Sequence, residues 1–138
     1  MPAPVVQGLL ESALYVSDLE QSVAFYCALF GFEVIYSEGD RLRALSIANK
    51  QVLLLFRVGA SRQPTDTPSG RIPSHDGHGT LHLAFAVSSE DIQLWRDRLA
   101  TNGITIESEV HCGGQSLYFR DPDSHLVELI SPGCWPIF

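Results

Sequence analysis

Three side chains able to bind a metal ion stand alone in runs that otherwise read as apolar strands. Glu11 lies in LLESALYV, His82 in TLHLAFAV, and Glu128 interrupts LVELI. A carboxylate buried by itself must be desolvated at a cost of several kcal/mol, or take up a proton, unless a partner compensates it. One shared divalent cation would compensate all three groups. Two carboxylates and one imidazole make a borderline-to-hard ligand set that accepts Mn, Fe, Ni, Co, Zn or Mg, and the sequence does not choose among them. Three protein ligands on an octahedral ion would leave positions open for water or a chelating substrate, whereas a structural site is usually closed by four. Each residue alone also has a plainer reading. Glu11 could be an edge residue, His82 a hydrogen-bonded histidine, and Glu128 the partner of Arg120 or Arg43.

Other groups could move protons or hold a substrate. His75 and His78 lie in SHDGHGTLH, which could close over a ligand or be a solvated loop. Histidine suits acid and base work because its ordinary titration lies nearest neutrality. Glu109, His111 and His125 are further candidates for supporting roles, and Arg120 or Arg57 could hold an anionic group. Tyr118 and Phe119 must point to opposite faces of their strand, so only one of them can face a site. Trp95 falls on the apolar stripe of a helix and reads as core.

The elements that position these residues repeat. LLESALYV, FEVIYS, RLRALSIA and QVLLLFRV read as strands, with a helix over LEQSVAFYCALF that Asp18 or Ser17 can cap and Gly31 ends. After residue 79 the order returns: TLHLAFAV, a helix in SSEDIQLWRDRLATNG with Ser at its N-cap, then ITIESEV, GQSLYFR and SHLVELIS. Superposing the halves sets Val16 over Val87, Ala13 over Ala84 and Glu11 over His82, and sets Leu54 over Glu128. The predicted fold is α+β: two tandem βαβββ modules, 9–57 and 80–131, forming a cupped, partly closed mixed eight-stranded sheet with helices outside. Residues 58–79, rich in Gly, Pro, Ser and Thr, are expected to be the joining loop of a single domain over 1–138.

Composition narrows the function. Nine Lys and Arg against sixteen Asp and Glu, a formal charge of -7, leave no basic groove, so nucleic acid is not an expected partner. No window approaches the roughly 18 apolar residues of a membrane span. Three scattered cysteines, Cys27, Cys112 and Cys134, read as reduced and structural, which together with the lack of a secretory pattern points to a cytoplasmic protein.

ALYVSDLEQSVAFYCALFGFEV, HLAFAV and FRDPDSHLVEL, in this order, resemble the glyoxalase/bleomycin-resistance/extradiol-dioxygenase (vicinal oxygen chelate) superfamily over nearly the whole chain. The resemblance implies paired βαβββ modules, a homodimer, and a divalent metal chelated by adjacent oxygens of a small substrate. It assigns the metal-ligand positions to Glu11, His82 and Glu128. It also marks a departure, because members that isomerise glutathione hemithioacetals carry a Glu in the fourth strand where this chain has Leu54. Leucine can neither ligate a metal nor take a proton, so glyoxalase I activity itself is not expected. The function expected is a metal-dependent enzyme of lyase, isomerase or dioxygenase type acting on a small oxygen-rich metabolite, with Glu11, Glu128, His75 and His78 as candidate catalytic groups. The alternative is a non-catalytic small-molecule binding or antibiotic-resistance protein of the same fold.

Overall fold

The computed structural model describes all 138 residues. Its elements run β1 (Glu11–Val16), α1 (Leu19–Phe30), β2 (Glu33–Glu38), β3 (Leu42–Ile47), β4 (Gln51–Arg57), β5 (Thr65–Thr67), β6 (Gly70–Ile72), β7 (His82–Ala86), α2 (Ile92–Thr101), β8 (Ser108–His111), β9 (Gln115–Arg120) and β10 (Leu126–Ile130). Local chemistry sets the helix ends. The Asp18 carboxylate accepts from Gln21 N–H at 3.1 Å, and Gly31, with φ at 72°, takes the left-handed position that closes α1. Ser88 caps a single 3-10 turn at Ser89–Asp91 that leads into α2.

The repeat is realised in the sheets. One has the order β1-β4-β3-β2 and the other β7-β10-β9-β8, and in each the first strand runs parallel to the last while the hairpins are antiparallel. Ala13 pairs with Leu54 and Ala84 with Glu128, so these positions are equivalent in space as well as in sequence. No helix is long and apolar enough to cross a membrane.

The chain divides into two compact units, residues 1–23 with 31–77 and residues 24–30 with 78–138, so that α1 is shared between them. In the first unit Leu14, Val16, Leu45, Leu53 and Leu55 are at most 1% exposed and form one packed face. The opposite face carries Tyr15, Leu54 and Phe56, and Tyr15 lies on Phe56 with ring centres 5.8 Å apart. In the second unit Leu117, Phe119, Val127 and Leu129 are fully buried. Phe30 packs there against Phe85 at 4.9 Å, Trp95 at 5.6 Å and Phe119 at 6.4 Å, which places Trp95 in the apolar packing expected of it.

Two expectations change. Residues 58–79 are not a featureless loop, because β5 and β6 form a hairpin within them. Thr67 makes the turn: its hydroxyl donates to Gly70 carbonyl at 2.7 Å and accepts from Ser69 N–H at 3.2 Å, while Arg71 pairs with Asp66 across the strands. Cysteines 112 and 134 are joined in a disulfide with Cα atoms 4.7 Å apart, and only Cys27 is free. The pairing of β9 with β10 continues one step beyond the strands, with Ser131 N–H donating to Gln115 carbonyl at 3.0 Å. Past that step the chains run backbone against backbone. A side chain on Gly113 or Gly133 would come within 2.6 Å of the other's carbonyl oxygen, and glycine at both places lets the two cysteines meet.

Closing a loop across a separation of 22 residues restricts the unfolded chain, and chain entropy alone gives about 3 kcal/mol for a loop of this size. Reduction, or the substitution Cys112→Ser, is expected to lower the unfolding free energy by up to about that amount. Urea unfolding with and without reductant measures it, and the Cys112→Ser variant should show no further response to reductant.

Candidate functional site

The turn DPDSH fixes the second unit's site before any ligand is considered. Asp121, 5% exposed, accepts from Asp123 N–H and His125 N–H, both at 2.9 Å, through one oxygen. Its other oxygen accepts from the Tyr26 hydroxyl of α1 at 2.7 Å. Ser124 takes a left-handed φ of 65° and completes the turn. The turn delivers His125, only 1% exposed, to the start of β7, where its Nδ1 accepts from Leu81 N–H at 2.9 Å. Leu126 N–H in turn donates to Leu81 carbonyl at 2.8 Å. The residue after Leu81 is His82.

His82 stands beside Leu126 and its Nδ1 bonds the Leu126 carbonyl at 2.9 Å. A carbonyl can only accept, so Nδ1 carries the proton. The other nitrogen, Nε2, faces Oε1 of Glu128 at 3.3 Å. Glu128 is 6% exposed, and its second oxygen accepts from the Ser116 hydroxyl at 2.5 Å. Tyr118, paired with Glu128 across β9 and β10, lies near-parallel to His82 with ring centres 6.4 Å apart. Burial, then the charge of Glu128 and a hydrogen bond to it, raise the Tyr118 phenol above its usual value. The register therefore selects Tyr118 for this face, while Phe119, fully buried, packs on the other.

A bare Nε2 opposite a carboxylate oxygen sets two lone pairs against each other. A proton on Nε2 or a cation held between the two atoms resolves the conflict. A ligating histidine whose other nitrogen donates to a carbonyl is the usual arrangement in metal sites, since that bond fixes the tautomer and the ring. The pair also has access, because the His82 side chain is half exposed while the carboxylate beneath it is covered. The alanines of β7, Ala84 and Ala86, alternate with Leu83 and Phe85 and are exposed next to it.

The other predicted residues fall in different places. Glu11 is exposed at the start of β1 in the first unit, on the face that carries Ala13 and Tyr15. No three His, Cys, Asp or Glu side chains gather to hold a metal ion. His75, also of the first unit, is hydrogen-bonded to the Tyr15 hydroxyl at 2.8 Å and meets the Phe56 ring edge-on at 4.5 Å. Gly77 passes so close to Tyr15 that an added Cβ would lie 2.4 Å from its ring. Asp76 anchors this stretch by accepting from Gly59 N–H and Arg62, and those partners lower its carboxyl to about 2. His78 is exposed in the second unit. His125 supports the turn, Glu109 pairs with Arg96, and Arg120 and Arg57 pair with Glu107 and Asp40. A shallow concavity of about 440 Å³ in the second unit is lined by His111, Gln115 and Ser131, away from the His82–Glu128 pair in the register of the strands. Sequence reasoning missed Ser116 and Tyr15. Both positions share a strand face with a predicted site residue, and that alternation was the available signal.

Two βαβββ modules, each pairing its first strand in parallel with its last, define a paired-module α+β scaffold. The chain belongs to the Glyoxalase/Bleomycin resistance protein/Dioxygenase superfamily, whose family profile matches residues 8–129. It is 31% identical over 125 residues to glutathione transferase FosA of Serratia marcescens, covering 91% of this chain and 81% of that one. Among solved structures it is similar to lactoylglutathione lyase from Agrobacterium tumefaciens, with a TM-score of 0.85 and 29% identity over 96% of this chain and 98% of that one. It is also similar to the fosfomycin resistance protein FosX of Listeria monocytogenes in complex with Mn(II) and sulfate, with a TM-score of 0.66 and 27% identity over 92% and 91% of the two chains.

The Tyr26–Asp121 bond has a measurable pH signature. Burial and the Asp121 charge raise the Tyr26 phenol far above its ordinary value of 10.0. The folded protein keeps this phenol neutral while the unfolded chain ionises it, so the stability it contributes is complete below about pH 10 and is lost as pH rises beyond. Tyr26→Phe is expected to cost about 1.5–3 kcal/mol at neutral pH, the range for a hydrogen bond to a charged group. The same variant should flatten the decline above pH 10 by about 1.4 kcal/mol per pH unit. Urea unfolding of both proteins from pH 7 to 11 checks the two effects together.

Proposed function

We propose that the protein is a divalent-metal-dependent enzyme that binds a small oxygen-rich molecule through two adjacent oxygens, with His82 and Glu128 as two of the metal's ligands and Glu11 as the third. The observation that carries this reading is the approach of His82 Nε2 to Glu128 Oε1 at 3.3 Å while Nδ1 is held by the Leu126 carbonyl. Membership of the superfamily supports it, as do the names of relatives that include a glutathione transferase and a resistance protein holding Mn(II). The donor chemistry admits Mn, Fe, Ni, Co, Zn or Mg, and a bound ion of this kind supplies Lewis acidity to coordinated oxygens.

The chain's own residues do the rest. The Leu126 carbonyl fixes the His82 ring, Ser116 and Tyr118 hold Glu128, and Ala84 and Ala86 leave space beside the pair. His75, with Tyr15 on one nitrogen, and His78 are the groups proposed to move protons. Glu11 or Glu128 can do so only by leaving the metal. A hemithioacetal isomerisation of the glyoxalase I kind is not part of the proposal. Leu54 occupies the position equivalent to Glu128, and its side chain takes no proton. The substrate is a small molecule and the assembly a homodimer, in which Glu11 reaches the pair from its own chain or from the second copy.

Titration of metal-free protein with Mn(II), followed by electron paramagnetic resonance, is expected to show about one tight site per chain, weakened by well over tenfold in His82→Ala, Glu128→Ala and Glu11→Ala. Wild-type protein that binds no divalent ion yet binds small organic molecules would favour a non-catalytic binding protein instead. Mixing Glu11→Ala and Glu128→Ala chains separates the two dimer arrangements. Ligands from different chains would restore one site per mixed dimer, and ligands from one chain would restore none.

A further inference from the structure

We propose that Ser116 is a positioning residue for this site: its hydroxyl ties down one oxygen of Glu128 and thereby presents the other to the cation. The inference rests on the metal reading above. Ser116 lies on β9 across from Ile130, is 1% exposed, and donates to Glu128 Oε2 at 2.5 Å. A hydroxyl has one proton to give, and giving it to Oε2 leaves Oε1 as the oxygen that faces His82 Nε2 at 3.3 Å. The terminal torsion of a glutamate is broad, so the Ser116 bond, beside the one from Tyr118, narrows the tilt of the carboxylate plane and with it the direction of the oxygen that faces His82.

The nature of the donor matters as much as its place. A buried carboxylate is most simply satisfied by an arginine, but Arg120, at the other end of β9, pairs with Glu107, and Arg96 of α2 pairs with Glu109. A neutral hydroxyl satisfies one oxygen and leaves the full negative charge for a cation. The hydroxyl is also held in place. Gln115 N–H donates to the Ser131 hydroxyl at 2.8 Å, Ser131 N–H donates to Gln115 carbonyl at 3.0 Å, and a side chain on Gly114 would strike the Pro132 carbonyl at 2.2 Å. The strand cannot slide or twist at Ser116 without breaking this neighbouring pair.

Metal-free wild type, Ser116→Ala and Ser116→Thr are titrated with Mn(II) by electron paramagnetic resonance, and the thermal midpoint of each metal-free protein is recorded. Ser116→Ala is expected to bind Mn(II) about 10–100-fold more weakly, the range for loss of a group that orients a ligand, while Ser116→Thr, which keeps the hydroxyl, stays within about threefold. Unchanged Mn(II) affinity in Ser116→Ala alongside a lowered midpoint overturns the proposal, since the hydroxyl would then only satisfy a buried carboxylate. If Ser116→Ala does not fold, Ser116→Cys, of similar size with a weak donor, replaces it, and equal affinity in the Cys and Thr variants overturns the proposal. A wild type that takes up no Mn(II) removes the metal reading itself, a result separate from retention of binding in Ser116→Ala.

Discussion

A carboxylate removed from water carries a penalty of several kcal/mol that only close, well-directed partners offset, and Glu128 lies 6% exposed in the middle of an apolar strand. Its two oxygens are met by different chemistry, a hydroxyl on one and an imidazole on the other. The hydroxyl comes from one neighbouring strand, Ser116 of β9, and the imidazole from the other, His82 of β7, so setting the acid against both requires β10 to sit between them in one register. A slip of one residue would turn Glu128 away from Ser116 and towards the aromatic packing around Phe119. The acid therefore helps to specify the register of the sheet.

The same logic runs through the turn that precedes it. Asp121 is buried too, and it is satisfied by two backbone N–H groups of its own turn and by the Tyr26 hydroxyl from α1. His125, delivered by that turn, accepts from Leu81 N–H, the residue immediately before His82. A helix, a turn and two parallel strands are thus tied into one polar track that ends at the His82–Glu128 pair. Parallel strands have no hairpin to set their register, and this track supplies what a hairpin would otherwise provide.

Much of this was legible in the chain. The repeat, the succession of elements along the chain and the equivalence of Leu54 with Glu128 follow from apolar alternation and from matching segments, and the strand pairing sets Ala13 against Leu54 as it sets Ala84 against Glu128. What escaped depends on contacts between distant residues. Tyr26 reads as one more apolar residue of a helical stripe, and nothing local ties it to Asp121, 95 positions away. Cys112 and Cys134 read as unpaired because an odd, sparse set has no framework, and only the backbone contact between Gly113 and Gly133 brings them together. The hairpin of β5 and β6 is three residues long on each side, too short for alternation to register, and its turn depends on one threonine hydroxyl.

The two modules show how one scaffold divides its labour. Equivalent positions carry Tyr15 and Phe56 in the first sheet and Ala86 and Ile130 in the second. In the first, the aromatic pair is stacked and covered by His75 and the chain through Gly77, so Phe56 is only 6% exposed. In the second, the matching alanine is exposed and the strand beside it carries the buried acid. A face filled with its own rings has little surface left for a ligand, while a face kept small beside a satisfied carboxylate and a half-exposed imidazole retains both room and charge. Leu54 fits the filled face as Glu128 fits the open one. Position 54 is half-buried beside Phe56, so a carboxylate there would lose part of its hydration, a cost that leucine avoids.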